Sequence, residues 1–319
     1  MNLLISCDWG TTNFRLRLVD SDRREAIGEV HGPDGVAAVY SRWRAAGQGA
    51  KERLGFYRAV MAKEIEHLRR HTTYSLTGLP VVLSGMAASS MGMVELPYRS
   101  VPMVLTGEDL IRVAIPPSDG FGHSILMVSG VRTKDDVMRG EETQLVGCAA
   151  AGNDERLYIF PGTHSKHVRV RAGRAVDITT FMTGECFQLL ATKSILSVSV
   201  SAASSDGGAV SDDFMEGIRD SRKGGILHTA FKVRIRQLLA GLSRESNYQY
   251  LSGLMIGEEL KVLEGTEIPI IIVGAGRMKE YYAAACEELG CPEVCVTDAD
   301  QALVRGHCRV LEFGQGGIS

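Results

Sequence analysis

An α/β fold built from two similarly organised halves is predicted by three observations. A short apolar strand opens the chain and runs through a polar Gly/Thr loop into an alternating strand. The same order returns at "RLYIFPGTHSKHVRVRAGR", and an all-apolar strand followed by a glycine turn and an amphipathic helix closes the second half. At 319 residues the chain exceeds what one core usually supports, so two domains are expected, 1–152 and 153–319.

The elements follow in order. Leu3 to Cys7 reads as a strand. After the loop, Phe14, Leu16 and Leu18 alternate with Arg15, Arg17 and Val19, which predicts a partner strand with one face buried. Residues 51–70 place Leu54, Tyr57, Val60, Met61 and Ile65 on one helical face, and "LPVVLSG" gives a buried strand ending at Gly85. A strand at Ser124 to Val128 leads through "SGVRTKDD" into a segment from Val137 that is helical in pattern and ends at Gly152. The second half repeats the opening and continues with helical segments at 214–222, 227–242 and 250–263. It then runs through "IPIIIVGAGRMKEYYAAACEELG", a strand at Pro292 to Val296, a last helix over 298–312 that is expected to return to the first domain, and a flexible tail.

Composition narrows the function. Apolar residues make up 45% and charged residues 23%, as in soluble globular proteins, and a net charge of -3 offers no basic field for nucleic acid or an anionic membrane. The start of the chain has neither a basic n-region nor a cleavage site, and no apolar run approaches a membrane span, so a cytoplasmic protein acting on a small molecule is expected. Seven scattered cysteines read as reduced thiols, and the trio Cys286, Cys291 and Cys295 has no second pair to close a zinc site.

Several nucleotide motifs are excluded. There is no GxxxxGK[ST] and no HRD or DFG. "VGAGRMK", with Asp298 and Asp300 downstream, fails as a dinucleotide fingerprint at Lys279, where the third glycine should stand.

The two polar loops carry the chemistry. In "DWGTTN", Gly10 admits close approach of an anion, and Thr11, Thr12 and Asn13 supply donors suited to phosphate oxygens. Asp8 beside such a cradle calls for an intervening cation, and Mg2+ held partly through water answers that need. In "FPGTHSK", Gly162, Thr163, His164, Ser165 and Lys166 form a second cradle.

These motifs resemble the actin-like, sugar-kinase-type ATPase superfamily, whose fold is ribonuclease H-like: "DWGTTN" and "PGTHSK" are similar to its two phosphate motifs, and "VGAGRM", with Gly274 and Gly276, to its adenosine motif. "DVMRGEETQLVG", "TFMTGECF", "YLSGLMIGEEL" and "GMAASSMGMVELPY" extend the resemblance, along almost the whole chain, to the 2-dehydro-3-deoxygalactonokinase family. The departures are His167, where the family leads one to expect tryptophan, and Ala87 and Met91 in place of larger or polar residues.

The resemblance implies ATP bound in an interdomain cleft, with a hinge near Gly152 and Asn153, and transfer of its γ-phosphoryl group to the 6-hydroxyl of 2-dehydro-3-deoxygalactonate. It directs the search for the base to Glu141 or Glu142, with Asp136 as a further candidate. An arginine is expected on the substrate carboxylate, from Arg132 or Arg139, while Arg15 and Arg99 read as surface arginines. Gly85, Met86, Ser89, Ser90 and Tyr98 are expected to line the sugar. A homodimer is compatible with the chain. The alternatives are a kinase of the same fold for another sugar or sugar acid, an actin-like nucleotide-binding regulator or chaperone, and a nicotinamide oxidoreductase.

Overall fold

The computed structural model describes residues 2–148, 154–202 and 209–314. The chain divides into two compact units, one of residues 1–153, 172–178 and 299–319, the other of 154–171 and 179–298. Gly152 and Asn153, and most of the tail from 314, lie outside the described residues.

In the first unit, β1 (Leu3–Trp9) and β2 (Phe14–Asp20) form an antiparallel hairpin in register from Leu3 with Asp20 to Trp9 with Phe14, and β3 (Glu25–Gly32) adds to β2. Helices α1 (Val36–Ala45) and α2 (Arg53–Arg70) follow, then β4 (Val81–Gly85), the two-residue strands β5 (Arg99–Ser100) and β6 (Met103–Val104), β7 (Arg112–Ile115) and β8 (Ile125–Val128). The main sheet runs β3-β2-β1-β4-β8-β7, with β1, β4 and β8 parallel. Its core is built on Trp9, Phe14, Tyr57 and the apolar faces of these strands.

Two expectations are corrected here. β2 is covered on both faces, because Arg17 is only 1% exposed and its charge is met by Glu29 and Asp300. The segment at Val137 does not start a helix: β9 (Val131–Arg132) pairs with β10 (Val137–Met138), the chain turns at Gly140 with φ 116°, and α3 covers only Glu141–Cys148. A positive φ is incompatible with a helix interior, so Asp136 lies outside the helix and Glu141 and Glu142 form its first turn.

The second unit begins with the antiparallel hairpin β11 (Arg156–Phe160) and β12 (Ser165–Arg171). Strand β13 (Arg174–Phe181) starts in the first unit, where Arg174 pairs with Val104 of β6. Helices α4 (Thr183–Lys193), α5 (Asp212–Ser221), α6 (Ile226–Thr229), α7 (Lys232–Ala240) and α8 (Arg244–Leu260) come next, then β14 (Ile270–Gly274), α9 (Met278–Glu288) and β15 (Val294–Asp298). β14 lies parallel to β11 and β15 parallel to β14, as β4 and β8 do beyond β1. The last helix, α10 (Ala299–Gly314), belongs to the first unit.

Each unit carries a pair of helices packed backbone to backbone through glycines. A Cβ on Gly147 of α3 would stand 1.7 Å from the Ala302 carbonyl oxygen of α10, and one on Gly306 2.0 Å from that of Thr143. In the second unit, Gly253 of α8 and Gly217 of α5 make the same kind of approach, at 1.9 Å from the Phe214 oxygen and 2.2 Å from the Tyr250 oxygen. No helix among the described residues is long and apolar enough to cross a membrane.

Candidate active site

The first polar loop is held from below. The Val36 and Ala37 amides at the start of α1 donate to the carbonyls of Gly10 and Thr11 at 2.9 and 3.0 Å, and Gly35 leaves no room for a Cβ beside Thr12. Helix α1 thereby has its first amides satisfied by the loop rather than by a side-chain cap. Thr11, Thr12 and Asn13 stay exposed; their hydroxyl and amide groups are of a kind that can donate to an anion.

Asp8 stands at the end of β1, beside Gly85 of β4. Gly85 has φ 91°, and a Cβ there would lie 2.9 Å from the Trp9 carbonyl oxygen and 3.4 Å from Asp8 Oδ1. Glycine is therefore required for the β4 end to pass the carboxylate. Among the described residues no donor hydrogen-bonds the Asp8 carboxylate. Burial raises its pKa, an effect that Arg15 and Arg17 partly offset. Both arginines are themselves engaged by Asp300, so Arg15 is tied to the fold. A half-buried acid without a hydrogen-bond donor fits a divalent cation.

From Gly85 the chain makes a 3-10 turn at Met86–Ala88. Ser89 closes that turn, its hydroxyl donating to the Met86 carbonyl at 2.7 Å, while Ser90 is exposed. Gly140 packs on Gly85, the position of its Cβ being 3.7 Å from the Gly85 Cα, which brings the start of α3 to the Asp8 side of the sheet. Here Glu141 is half-buried and its Oε2 accepts from the Arg139 amide at 3.0 Å. Glu142 is fully buried and accepts from the Gly140 amide at 2.7 Å; burial, together with the charge of Glu141, pushes its pKa up to about 8. The Asp136 carboxylate accepts from the Val137 amide, short of the helix.

Of the two arginines expected at the substrate carboxylate, Arg139 is engaged within the fold. Arg139 lies 4.2 Å over the Tyr98 ring and donates to the carbonyls of Ala88 and Leu96, so it fastens the 86–98 segment instead of standing free for a ligand. Arg99 pairs with Asp109 at 3.0 Å. Arg132 is exposed on β9.

In the second unit, the loop at 162–164 rests on α4 as the first loop rests on α1: the Glu185 amide donates to the Thr163 carbonyl at 3.0 Å, and a Cβ on Gly184 would lie 2.6 Å from the Gly162 oxygen. Gly162, Thr163 and His164 are exposed, with His164 against Glu185. Ser165 and Lys166 are engaged within the fold: β12 begins at Ser165 and carries both into the sheet. The Ser165 hydroxyl donates to Glu259 at 2.7 Å, and the Lys166 ammonium donates to the His164 carbonyl at 2.8 Å.

A cavity of 840 Å³ opens beside this loop, lined by Thr163, Gly184, Phe187, Tyr248, Arg277 and Tyr281 among others. Its floor and rim are mostly apolar and aromatic, which suits a heterocyclic base. The glycine turn borders it: β14 ends at Gly274, Gly276 has φ 55°, and Arg277 follows. The acids that could have served a dinucleotide are otherwise engaged, Asp298 with Lys279 at 3.6 Å and Asp300 with Arg15 and Arg17.

Residues 8–310 match the family model described as 2-keto-3-deoxy-galactonokinase. The chain belongs to that family. It is 34% identical over 309 residues to a protein of Rhizobium meliloti described as a probable 2-dehydro-3-deoxygalactonokinase, which spans 94% of this chain and 93% of the relative. It is 30% identical to the 2-dehydro-3-deoxygalactonokinase of Escherichia coli, with 95% of each chain covered. Among solved structures, a Sinorhizobium meliloti protein assigned to the same family superposes with a TM-score of 0.79 at 30% identity, over 99% of this chain and 98% of that one. The ADPNP-bound activator of 2-hydroxyisocaproyl-CoA dehydratase from Clostridium difficile has a TM-score of 0.52 at 13% identity, over 99% and 98% of the two chains, and shares the fold. This galactonokinase family member thus has the actin-like ATPase fold, each unit opening on a strand, loop and strand.

One residue of the site escaped the sequence reading. Glu259 lies within "YLSGLMIGEEL" and accepts hydrogen bonds from Ser165, His167, Thr183 and Tyr282, of which the last two line the cavity. The available signal was an acid in an otherwise apolar helical stretch, a pattern that marks a carboxylate paired inside the fold.

Proposed function

We propose that this chain is an ATP-dependent sugar-acid kinase that phosphorylates the 6-hydroxyl of 2-dehydro-3-deoxygalactonate, with the work divided between its units as follows. The observation that carries this reading is the pair of loops, each seated on a helix N-terminus and each exposing hydroxyl or amide donors, in a chain of the galactonokinase family.

Asp8 would hold Mg2+, which neutralises charge on the phosphates. Thr11, Thr12 and Asn13 are the phosphate-oxygen donors of the first unit's loop, and Gly162, Thr163 and His164 are the corresponding residues of the second unit's loop. The cavity lined by Arg277, which follows the glycine turn, takes adenosine. Gly85, Met86, Ser90 and Tyr98 shape the sugar side, and Arg132 is the arginine left for the substrate carboxylate. Glu141 is the base, because it has access to solvent at the first turn of α3 where Glu142 has none. It takes the proton of the attacking hydroxyl as that oxygen bonds to the γ-phosphorus and ADP leaves.

The test is ADP release with Mg-ATP across a panel of sugar acids, including both C4 epimers of 2-dehydro-3-deoxygluconate. Turnover confined to the galacto epimer is expected, and Asp8→Asn should abolish it with thermal unfolding nearly unchanged. Turnover on another sugar acid instead would replace the substrate, and a flat response across the panel would favour a nucleotide-binding regulator.

A further inference from the structure

We infer that Glu259, on α8, is the positioning residue of the nucleotide cavity, setting the second loop, α4 and α9 in place through one buried carboxylate. The inference rests on reading that cavity as the nucleotide site.

The geometry is specific. Oε1 of Glu259 accepts from Ser165 Oγ at 2.7 Å and His167 Nε2 at 2.9 Å; Oε2 accepts from Tyr282 OH at 2.7 Å and from Thr183 Oγ1. All five side chains are buried. The two carboxylate oxygens offer about four lone-pair sites, and here each faces one of the four partners. Burial and the Glu259 charge hold the Tyr282 hydroxyl well above its ordinary pKa, which keeps it a donor.

Two of the four donors, Thr183 and Tyr282, line the cavity, and the other two follow directly on its loop. Ser165 and His167 begin β12, directly after the loop of Gly162 and Thr163; Thr183 opens α4 and precedes Gly184; Tyr282 lies on α9 and itself lines the cavity. Ile256, nearly one turn before Glu259 on α8, is a further lining residue. His167 is the position where the family resemblance called for tryptophan, and its ring also packs on Phe181 at 4.5 Å between centroids. In this chain the imidazole supplies one of the four contacts to Glu259.

None of these groups needs to touch nucleotide. Losing the carboxylate lets three cavity walls shift independently, so the effect should fall on nucleotide affinity and leave the sugar acid unaffected. In the full-length protein, Glu259→Gln turns an acceptor oxygen into a donating amide that faces two existing donors. It should raise the Kd for Mg-ADP and the KM for ATP by about tenfold or more, while the KM for the sugar acid changes by less than about twofold. Ser165→Ala and Tyr282→Phe each remove one donor and should raise the Mg-ADP Kd by about threefold.

Calorimetric titration of Mg-ADP, run beside thermal unfolding, separates the outcomes. A lowered unfolding midpoint with unchanged Mg-ADP affinity in Glu259→Gln would overturn the positioning role. If Glu259→Gln does not fold, the single-donor variants decide, and unchanged affinity in both overturns it. A wild-type protein that fails to bind Mg-ADP overturns the cavity reading itself, and this inference with it.

Discussion

Glu141 and Glu142 are neighbours of one chemical type, yet the start of α3 gives them opposite surroundings. Glu141 keeps access to solvent, whereas Glu142 is fully buried and holds its proton to about pH 8 in place of the ordinary 4.5. The consequence for stability has a definite sign. Between these two values the unfolded chain has released the Glu142 proton and the folded chain has kept it, so the folded state binds more protons and stability falls as pH rises. Glu142→Gln carries no such proton and should gain on the wild type as pH rises from 5 to 8.5, by up to about 3 kcal/mol once relaxation is allowed for. Unfolding midpoints at pH 5, 7 and 8.5 measure it; a difference independent of pH would show that Glu142 is not a buried neutral acid. Kinetics separates the roles: Glu141→Gln should lose about 10²-fold or more in kcat, and Glu142→Gln far less. The reverse order would exchange the two assignments. The sequence pointed to this acidic segment but could not choose within it, because the choice is made by which carboxylate faces the packed interior, a tertiary fact invisible to residue type.

Elements were legible where local chemistry decides them. The strand through Cys7, the apolar strand ending at Gly274 and the turn glycine Gly276 all follow from short-range pattern. The helix expected from Val137 did not, since Val137 and Met138 satisfy a helical period and a strand equally well, and pairing with β9 is a non-local contact. Helix α4 and strand β3 were not identified from the sequence; α4 is mostly half-exposed and β3 largely exposed, so neither buries a full apolar face. The glycine-mediated helix pairs were likewise unreadable, although their test is simple. Gly147→Ala places a methyl group 1.7 Å from the Ala302 oxygen, and Gly306→Ala one 2.0 Å from the Thr143 oxygen. Both contacts are to backbone, so a helix must move, at a cost of about 3 kcal/mol. Either variant should lower the unfolding midpoint by several degrees, whereas Gly55→Ala on exposed α2 backbone, where a Cβ meets nothing within 4 Å, should not. Equal midpoints for all three would refute close packing of α3 on α10.

At the scale of the whole chain, the first unit is closed by residues from both ends of the sequence. Helix α10 brings three ties to it: Asp300 to Arg15 and Arg17, Gly306 against α3, and His307 between the central strands. His307 Nδ1 lies 2.7 Å from Ser6 Oγ and its Nε2 3.0 Å from Ser84 Oγ, all three buried, and burial lowers its pKa to about 3, so the ring is neutral and each nitrogen meets a hydroxyl. Ser6 lies two residues before Asp8 on β1, and Ser84 pairs with Asp8 across to β4. A chain ending at residue 298 therefore leaves two serines, two arginines and the glycine face of α3 uncovered, and the strand ends that carry Asp8 and Gly85 lose their backing. The two tryptophans, Trp9 and Trp43, are both buried in this unit, so their emission reports on it alone, while far-ultraviolet dichroism reports on both units. Truncation after Asp298 should shift tryptophan emission to the red and remove its cooperative denaturant transition, while much of the helical dichroism survives in the second unit, whose core clusters about Ile159 and about Leu254 include no α10 residue among the described residues. Unshifted emission in the truncated chain would show that α10 is an accessory to the first unit and not part of its core.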